Sequence, residues 1–263
     1  MRILFTDLDN TLIYSYKHAI GSAKRCAEIY QGREISFLTE KSFRLLIRVQ
    51  KLALIVPVTT RTVGQYARVN LGIQTPAYAL ACNGGVLLAN GREDVSWFLE
   101  SQKLIAGCRE QLALGKRLME GDRNRCFEVR DIRGLFLFTK SERPKESAEF
   151  LKEGLDGELV DVFWNGGKVY IVPKALNKGA AVRRLCDRLR PELTAAAGDS
   201  VFDVPMIRAA DFGIAPEGLC GELGEGERVT YVREGEVFAE EMLEWVAAKC
   251  AVTQPLSGRL DAP

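Results

Sequence analysis

The chain of 263 residues has a single histidine, His18. That scarcity leaves almost no material for a Ser-His-Asp or Cys-His nucleophile, or for a zinc site built on imidazole. His18 itself reads as a surface residue. The seven cysteines are an odd number, widely scattered, with no C-x-x-C pair. They read as reduced, mostly buried thiols of a cytoplasmic protein rather than a disulfide framework. No apolar run is long enough to span a bilayer; LALIVPV is among the longest. No charged segment precedes a long apolar one at the N-terminus, and Asp7 interrupts the first apolar run early, so no signal peptide is expected. An excess of either charge is also missing. With 36 basic and 35 acidic residues the formal charge is +1. No global field draws the chain to nucleic acid or an anionic membrane, although a local basic pocket for a small anion remains open.

What is present is enough apolar residue for a sizeable core, 47% of the chain, in one large domain or a domain with an insert. MRILFT, LALIVPVTT and AYALACNGG read as buried strands. Between them lie a β-hairpin, KRCAEIY joined to EISFLT by QGR, and two helices, TEKSFRLLIRVQKL and RTVGQYARVNLG, the second closed by Gly72. This alternation predicts a parallel sheet with crossover helices. The texture then changes. GVLLANGREDVSWFL reads as a hairpin around Asn90-Gly91, SQKLIAGCREQLALGKRLM as a helix, RCFEVRD and GLFLFTK as strands, and LVDVFWNGGKVYIVP as another hairpin. From about Asn177 the first texture returns, with helices in NKGAAVRRLCDRL, VFDVPMIRAA and EVFAEEMLEWVAAKC and strands in LTAAAGD, DFGIA and RVTYV. The tail QPLSGRLDAP has little to bury and is expected to fray. The fold expected is therefore α/β: a Rossmann-like core with a parallel sheet, residues 1–84 and 175–263, interrupted by an inserted α+β cap, residues 85–174.

Ligands of open α/β sheets bind beyond the carboxyl ends of the strands, and polar clusters sit there. They are Asp7 with Asp9, Thr59-Thr60-Arg61, Asn83-Gly84-Gly85, and Asp199 with Asp203; Lys178 opens the next helix. Two carboxylates about 4 Å apart repel by roughly 4 kcal/mol at an effective dielectric near 20. Such a cluster needs a cation, and all-oxygen ligands point to Mg²⁺. Magnesium in turn favours a phosphate ester as the remaining ligand. One aspartate can attack phosphorus, the other can move protons, and a hydroxyl and a lysine can hold the phosphoryl oxygens. Several of these residues also have ordinary readings. Thr59 can be a helix cap, Arg61 a solvated helix start, Asn83 a turn former, and Lys168, at the hairpin tip Asn165-Gly166-Gly167-Lys168, an exposed turn lysine; the functional alternative for Lys168 is contact with an anionic leaving group. Trp97, Trp164 and Tyr170 read as cap core rather than stacking platforms.

D-L-D-N-T, V-T-T-R at 58–61, Lys178 in P-K-A-L-N-K-G and G-D-S-V-F-D-V-P-M at 198–206 resemble, in order and spacing, the four motifs of the haloacid dehalogenase superfamily. The resemblance covers most of the chain, and the insert resembles a C2B-type cap of the Cof-type and sucrose-phosphatase-like members. It implies a Mg²⁺-dependent phosphatase acting on a small phosphorylated metabolite, such as a sugar phosphate, through an aspartyl-phosphate. It implies Asp7 as nucleophile and metal ligand, and Asp9 as general acid/base with its backbone carbonyl on the metal. Thr59 and Lys178 would hold the phosphoryl group, and Asp199 and Asp203 the metal. Thr60, Arg61, Asn83, Gly84, Ser200 and Lys168 are candidate substrate contacts. Asn10, Thr60 and Phe202 depart from the commonest Cof-type pattern, which has Gly, Gly and Asn there. Phosphoryl transfer to a second sugar, a receiver-type signalling module and a non-catalytic binder are the other readings; receiver modules are about half this length and carry no cap. The oligomeric state is left open.

Overall fold

The computed structural model describes residues 1–224 and 226–252; the tail QPLSGRLDAP lies outside them. Strand β1 (Arg2–Thr6) is followed by a loop and a three-stranded antiparallel flap of β2 (Tyr14–Ser15), β3 (Lys24–Tyr30) and β4 (Arg33–Thr39). Helix α1 (Glu40–Val49) starts where the Thr39 hydroxyl accepts from the Ser42 amide. Then come β5 (Leu54–Pro57), the short α2 (Val63–Tyr66) and β6 (Tyr78–Ala81). The chain continues through β7 (Val86–Ala89), β8 (Arg92–Glu93), α3 (Val95–Leu104), α4 (Arg109–Gly121), β9 (Arg130–Ile132), β10 (Phe136–Lys140), α5 (Pro144–Gly154), β11 (Val160–Asn165) and β12 (Lys168–Pro173). The last part is α6 (Lys178–Leu189), β13 (Leu193–Ala197), α7 (Val204–Ala209), β14 (Phe212–Pro216), α8 (Cys220–Leu223), β15 (Val229–Val232) and α9 (Phe238–Val252).

The central sheet has the order β15-β14-β13-β1-β5, parallel throughout. A parallel bridge from Val58 to Leu80 brings β6 alongside β5. Both faces of β1 are covered. Leu4 joins a core cluster with α1 and α9, while Ile3 and Phe5 join one with α6 and α7. Successive residues point to opposite faces, so an unbroken apolar run suits a strand packed on both sides. Burying a side chain such as Phe5 contributes about 1.5–3 kcal/mol.

The middle of the chain builds a second, antiparallel sheet in the order β11-β12-β10-β9. On β12, Val169 and Ile171 pack with α4 and α5, and Tyr170 and Val172 face the other way. Phe202, in the loop after β13, closes against that second face: its ring lies 4.7 Å from Phe163 and 5.2 Å from Tyr170, centroid to centroid.

The elements differ from the sequence reading in several places; the strand expected over RCFEVRD, for one, begins only at Arg130. The helix expected up to Gly72 stops after Tyr66, because the following backbone pairs with the flap: the Asn70 amide donates to the Ala27 carbonyl and Val69 bridges Glu28. The second strand expected after Asn90-Gly91 ends at Glu93, because Asp94 caps α3 by accepting from the Trp97 amide. The long helix expected over SQKLIAGCREQLALGKRLM is two helices separated by a 3₁₀ turn at Ala106–Cys108. All seven cysteines are free thiols, and no helix among the described residues is long and apolar enough to cross a membrane.

Candidate active site

The carboxyl ends of β1, β5, β6 and β13 bring most of the expected residues to one edge. Asp7 continues β1, its amide donating to the Ala197 carbonyl of β13 at 2.9 Å. The chain then turns sharply. Asn10 takes a left-handed conformation (φ 57°), which asparagine tolerates better than other non-glycine residues. Thr11 fixes the turn against the neighbouring loop, its hydroxyl donating to Asp199 Oδ1 at 3.2 Å.

Lys178 is the hub. Its side chain is 1% exposed, and Nζ donates to Asp7 Oδ1 at 2.7 Å and to Asp203 Oδ1 at 2.6 Å. It is the first residue of α6, whose N-cap Asn177 accepts from the Ala180 amide. The fixed helix start therefore sets where the ammonium can reach. Asp203 is fully buried, and its second oxygen accepts from the Ser200 amide and hydroxyl at 3.0 and 2.8 Å. Gly198 permits this arrangement: a Cβ there would lie 2.2 Å from the Asp203 Cβ. Among the described residues, the hydrogen bonds to the Asp7 carboxylate engage only Oδ1.

Four carboxylates crowd here against few cations. Burial pushes Asp7 well above the usual carboxylate range; Lys178 pulls it down, and Asp203, Asp199 and Asp9 push it further up. Burial and Asp203 lift Asp199 to about 6, against Lys178 and the hydrogen bonds of Asn10 and Thr11. Burial works against the Lys178 ammonium, but Asp203 and Asp7 outweigh it and raise its pKa. Asp7, Asp199 and Asp203 each place an oxygen within 4.8 Å of the others. An all-oxygen donor set with this surplus of negative charge fits a hard divalent cation.

Asp199 keeps its proton up to about 6 in the folded chain, against about 3.9 in an unfolded one. Folding takes up a proton in that window, so the stability this gives at acid pH is lost as pH rises through it. Without divalent cation, the melting temperature is expected to fall from about pH 4 to pH 7. Asp199→Asn is expected to flatten that slope and to stabilise the metal-free chain at neutral pH by about 1–3 kcal/mol. Mg²⁺ should raise the wild-type melting temperature far more than that of the variant. Thermal melts across pH, with and without Mg²⁺, read all three; a wild-type melt insensitive to both would contradict this electrostatic picture.

Asp9 lies apart from the carboxylate trio. Its side chain is held by one edge of Arg61 in a two-bond fork: Nε donates to Oδ2 at 2.8 Å and Nη2 to Oδ1 at 2.7 Å. Arg61 is anchored in turn by Glu28, whose Oε2 accepts from Nη1 at 2.8 Å. Glu28 is 2% exposed and also takes Arg68 Nε at 3.0 Å and the Ser36 hydroxyl at 3.0 Å. It reaches inward because β3 is irregular at this point, where register shifts flank Glu28 and both Ala27 and Glu28 are buried.

Thr59 is buried, and its hydroxyl oxygen accepts from the Arg61 amide at 3.1 Å. Thr60, Ser200 and Lys168 line a cavity of about 600 Å³ that Asp7, Asp9, Lys178 and Asp199 share. A second cavity of about 620 Å³ adjoins it and includes Thr60, Arg61, Lys168 and Tyr170. Asn83 and Gly84 line neither. Asn83 is buried, donating to the Leu176 carbonyl at 2.9 Å, with its own oxygen unpartnered among the described residues; a Cβ on Gly84 would lie 2.3 Å from Ala181 Cβ. Both sit behind the site as packing and turn residues. Trp97 is fully buried, but against α6 rather than in the antiparallel unit: Arg184 stacks over it at 3.8 Å, and its indole donates to Gly84. Trp164 is 48% exposed near the hairpin tip, so it is not core; Tyr170 is buried and lines the cavity. Glu28, Lys17 and Lys140, which also lie at these cavities, were not singled out in the sequence. A charged residue among apolar ones in the flap strand was the only signal for Glu28.

A family model for haloacid dehalogenase-like hydrolases matches residues 115–217, a span that includes Lys178, Asp199 and Asp203. The chain is 29% identical over 184 residues to a phosphoglycolate phosphatase from Methanopyrus kandleri, covering 67% of this chain and 75% of the relative. The fold is shared with the sucrose-phosphatase of Synechocystis (TM-score 0.62, 20% identity, 94% of this chain and 98% of that one). It is also shared with a haloacid dehalogenase-like hydrolase from B. subtilis (TM-score 0.55, 17% identity, 97% and 100%). Over residues 115–217 the chain is similar to haloacid dehalogenase-like hydrolases, and its fold is one that such hydrolases share.

Proposed function

We propose that the chain is a Mg²⁺-dependent phosphatase that hydrolyses a small phosphorylated metabolite, a sugar phosphate or related compound, through an aspartyl-phosphate on Asp7. The observation that carries this reading is Lys178 bridging Asp7 and Asp203 beside Asp199 at the sheet edge. The relative from Methanopyrus, named for phosphoglycolate, supports phosphate monoesters as the substrate class. Residues 85–174 act as the cap over a core of 1–84 and 175–263, and the free thiols fit a cytoplasmic enzyme.

In this reading Asp7 attacks phosphorus with Oδ2, the oxygen Lys178 leaves open, as the bond to the leaving oxygen breaks. Lys178 and the Thr59 hydroxyl hold phosphoryl oxygens as charge builds. Asp9 donates a proton to the leaving oxygen, then takes one from the water that cleaves the aspartyl-phosphate, returning Asp7 and releasing phosphate. Asp7, Asp199 and Asp203, with the Asp9 carbonyl, would hold Mg²⁺, which supplies positive charge for the phosphoryl group when bound. Thr60, Ser200 and Lys168 face the substrate from the cavity walls. Phosphate release from a panel of phosphorylated metabolites, with Mg²⁺ and with EDTA, tests the reading. Turnover lost in EDTA is expected; turnover indifferent to EDTA would overturn the metal assignment.

Both Asp9 oxygens are engaged by Arg61, so proton transfer needs one of them freed while the carboxylate stays aimed. Glu28 fixes the pivot of that guanidinium. Glu28→Gln is expected to lower kcat about 10- to 100-fold through misplacement of Asp9. The pH profile of kcat should shift, and a conservative Glu28→Asp should recover part of the loss. An unchanged kcat and pH profile in Glu28→Gln would show that Arg61 needs no anchor.

A further inference from the structure

Three lysines face the cleft with no acidic ion-pair partner among the described residues. Lys17 comes from the flap, Lys140 from the end of β10 and Lys168 from the start of β12. All three line both adjoining cavities. Lysine ion pairs among the described residues involve Lys41, Lys174 and Lys178, none of these three. Lys17 lies instead 5.9 Å from the centre of the Tyr16 ring, and Lys140 5.0 Å from that of Phe127. Lys140 and Lys168 are direct partners across the antiparallel ladder, and like charges so placed repel. Burial lowers the Lys168 pKa; Asp9 opposes this, and Lys140 and Arg61 add to it.

The other cations of the cleft are already matched. Arg61 serves Asp9 and Glu28, Arg68 serves Glu28, and Lys178 serves Asp7 and Asp203. The three unmatched lysines therefore line the cavity that the carboxylates open into and the one that adjoins it. Their surroundings include Phe136, Phe138 and Tyr170, which suit a short carbon skeleton but hold no anion.

We propose that the substrate carries a second anionic group, a carboxylate or a second phosphate, beyond the ester that is cleaved, and that Lys17, Lys140 and Lys168 bind it. The preferred substrate class is then a small phosphorylated acid or a bisphosphate rather than a neutral sugar phosphate. Its kinetic arm rests on the phosphatase reading; its binding arm does not.

The test uses matched probes on the full chain with Mg²⁺: 2-phosphoglycolate and ethylene glycol bisphosphate against ethyl phosphate and 2-hydroxyethyl phosphate. Turnover is measured on the wild type, and binding of the same probes by calorimetry on Asp7→Asn, which needs no turnover. The anionic probes are expected to exceed the neutral ones by at least about tenfold in kcat/KM and in affinity. The better of the two anionic probes identifies the second group. In a Lys140→Met/Lys168→Met double variant that preference should shrink at least about fivefold. Lys168→Arg should keep it, which separates lost charge from lost fold. Turnover with no preference for the anionic probes overturns the lysine clamp and leaves the phosphatase reading standing. Anion-selective binding without any turnover does the reverse. A preference that survives intact in a folded double variant also overturns the clamp.

Discussion

Asp7→Asn is expected to lower phosphate release by at least about ten-thousandfold while leaving the protein as stable as the wild type or more so. The side chains are nearly the same size. The amide oxygen can still accept from Lys178, which now donates to Asp7 Oδ1 at 2.7 Å. What disappears is the nucleophilic carboxylate and one buried negative charge. That charge is disfavoured by burial and by Asp203, Asp199 and Asp9 around it, so removing it relieves repulsion. Lost activity together with retained or raised stability is a signature that general structural damage does not produce. Phosphate release and thermal melts on one preparation measure both. Activity within about tenfold of wild type would assign the attack to another group.

Lys178→Met is expected to destabilise the chain by about 3–5 kcal/mol at neutral pH and to abolish turnover, because removing one partner of a buried ionic cluster strands the others. Here it strands two carboxylates, those of Asp7 and Asp203, in a site where Lys178 itself is 1% exposed. The pH dependence distinguishes this from simple loss of packing. The Lys178 pKa is raised in the fold, so its stabilisation is full at neutral pH and is lost only as pH rises through that raised value. In the variant the stranded carboxylates must protonate, and its deficit should shrink as pH falls toward about 5. Chemical denaturation at several pH values measures this. A deficit constant with pH would point to lost packing rather than stranded charge.

The framework of this site was legible in the sequence because buried parallel strands announce themselves as short apolar runs, and the residues just past each run lie at the carboxyl edge. Asp7, Thr59 and Asp199 could be placed together on that basis alone. Lys178 could be placed at the start of the helix NKGAAVRRLCDRL, which the structure shows capped by Asn177. Long-range pairing was not legible. Glu28 is buried where β3 departs from strict alternation, and the stretch after Tyr66 gives up its helix to pair with that strand. Lys140 and Lys168 face each other because β10 pairs with β12 rather than with its neighbour in sequence, β11. Asn83 shows the opposite case. An Asn-Gly-Gly run at a strand end has the chemistry of a ligand contact, yet the turn folds it beneath the site, where its amide holds the Leu176 carbonyl.

The measurement that bears most directly on the proposed mechanism is acid quenching during turnover of the best substrate, then mass analysis of the tryptic peptide ILFTDLDNTLIYSYK. The mechanism predicts one phosphoryl group on Asp7, absent without substrate and absent in Asp7→Asn. A phosphoryl group on Asp9 or on a hydroxyl side chain, or turnover that persists in Asp7→Asn, would contradict it.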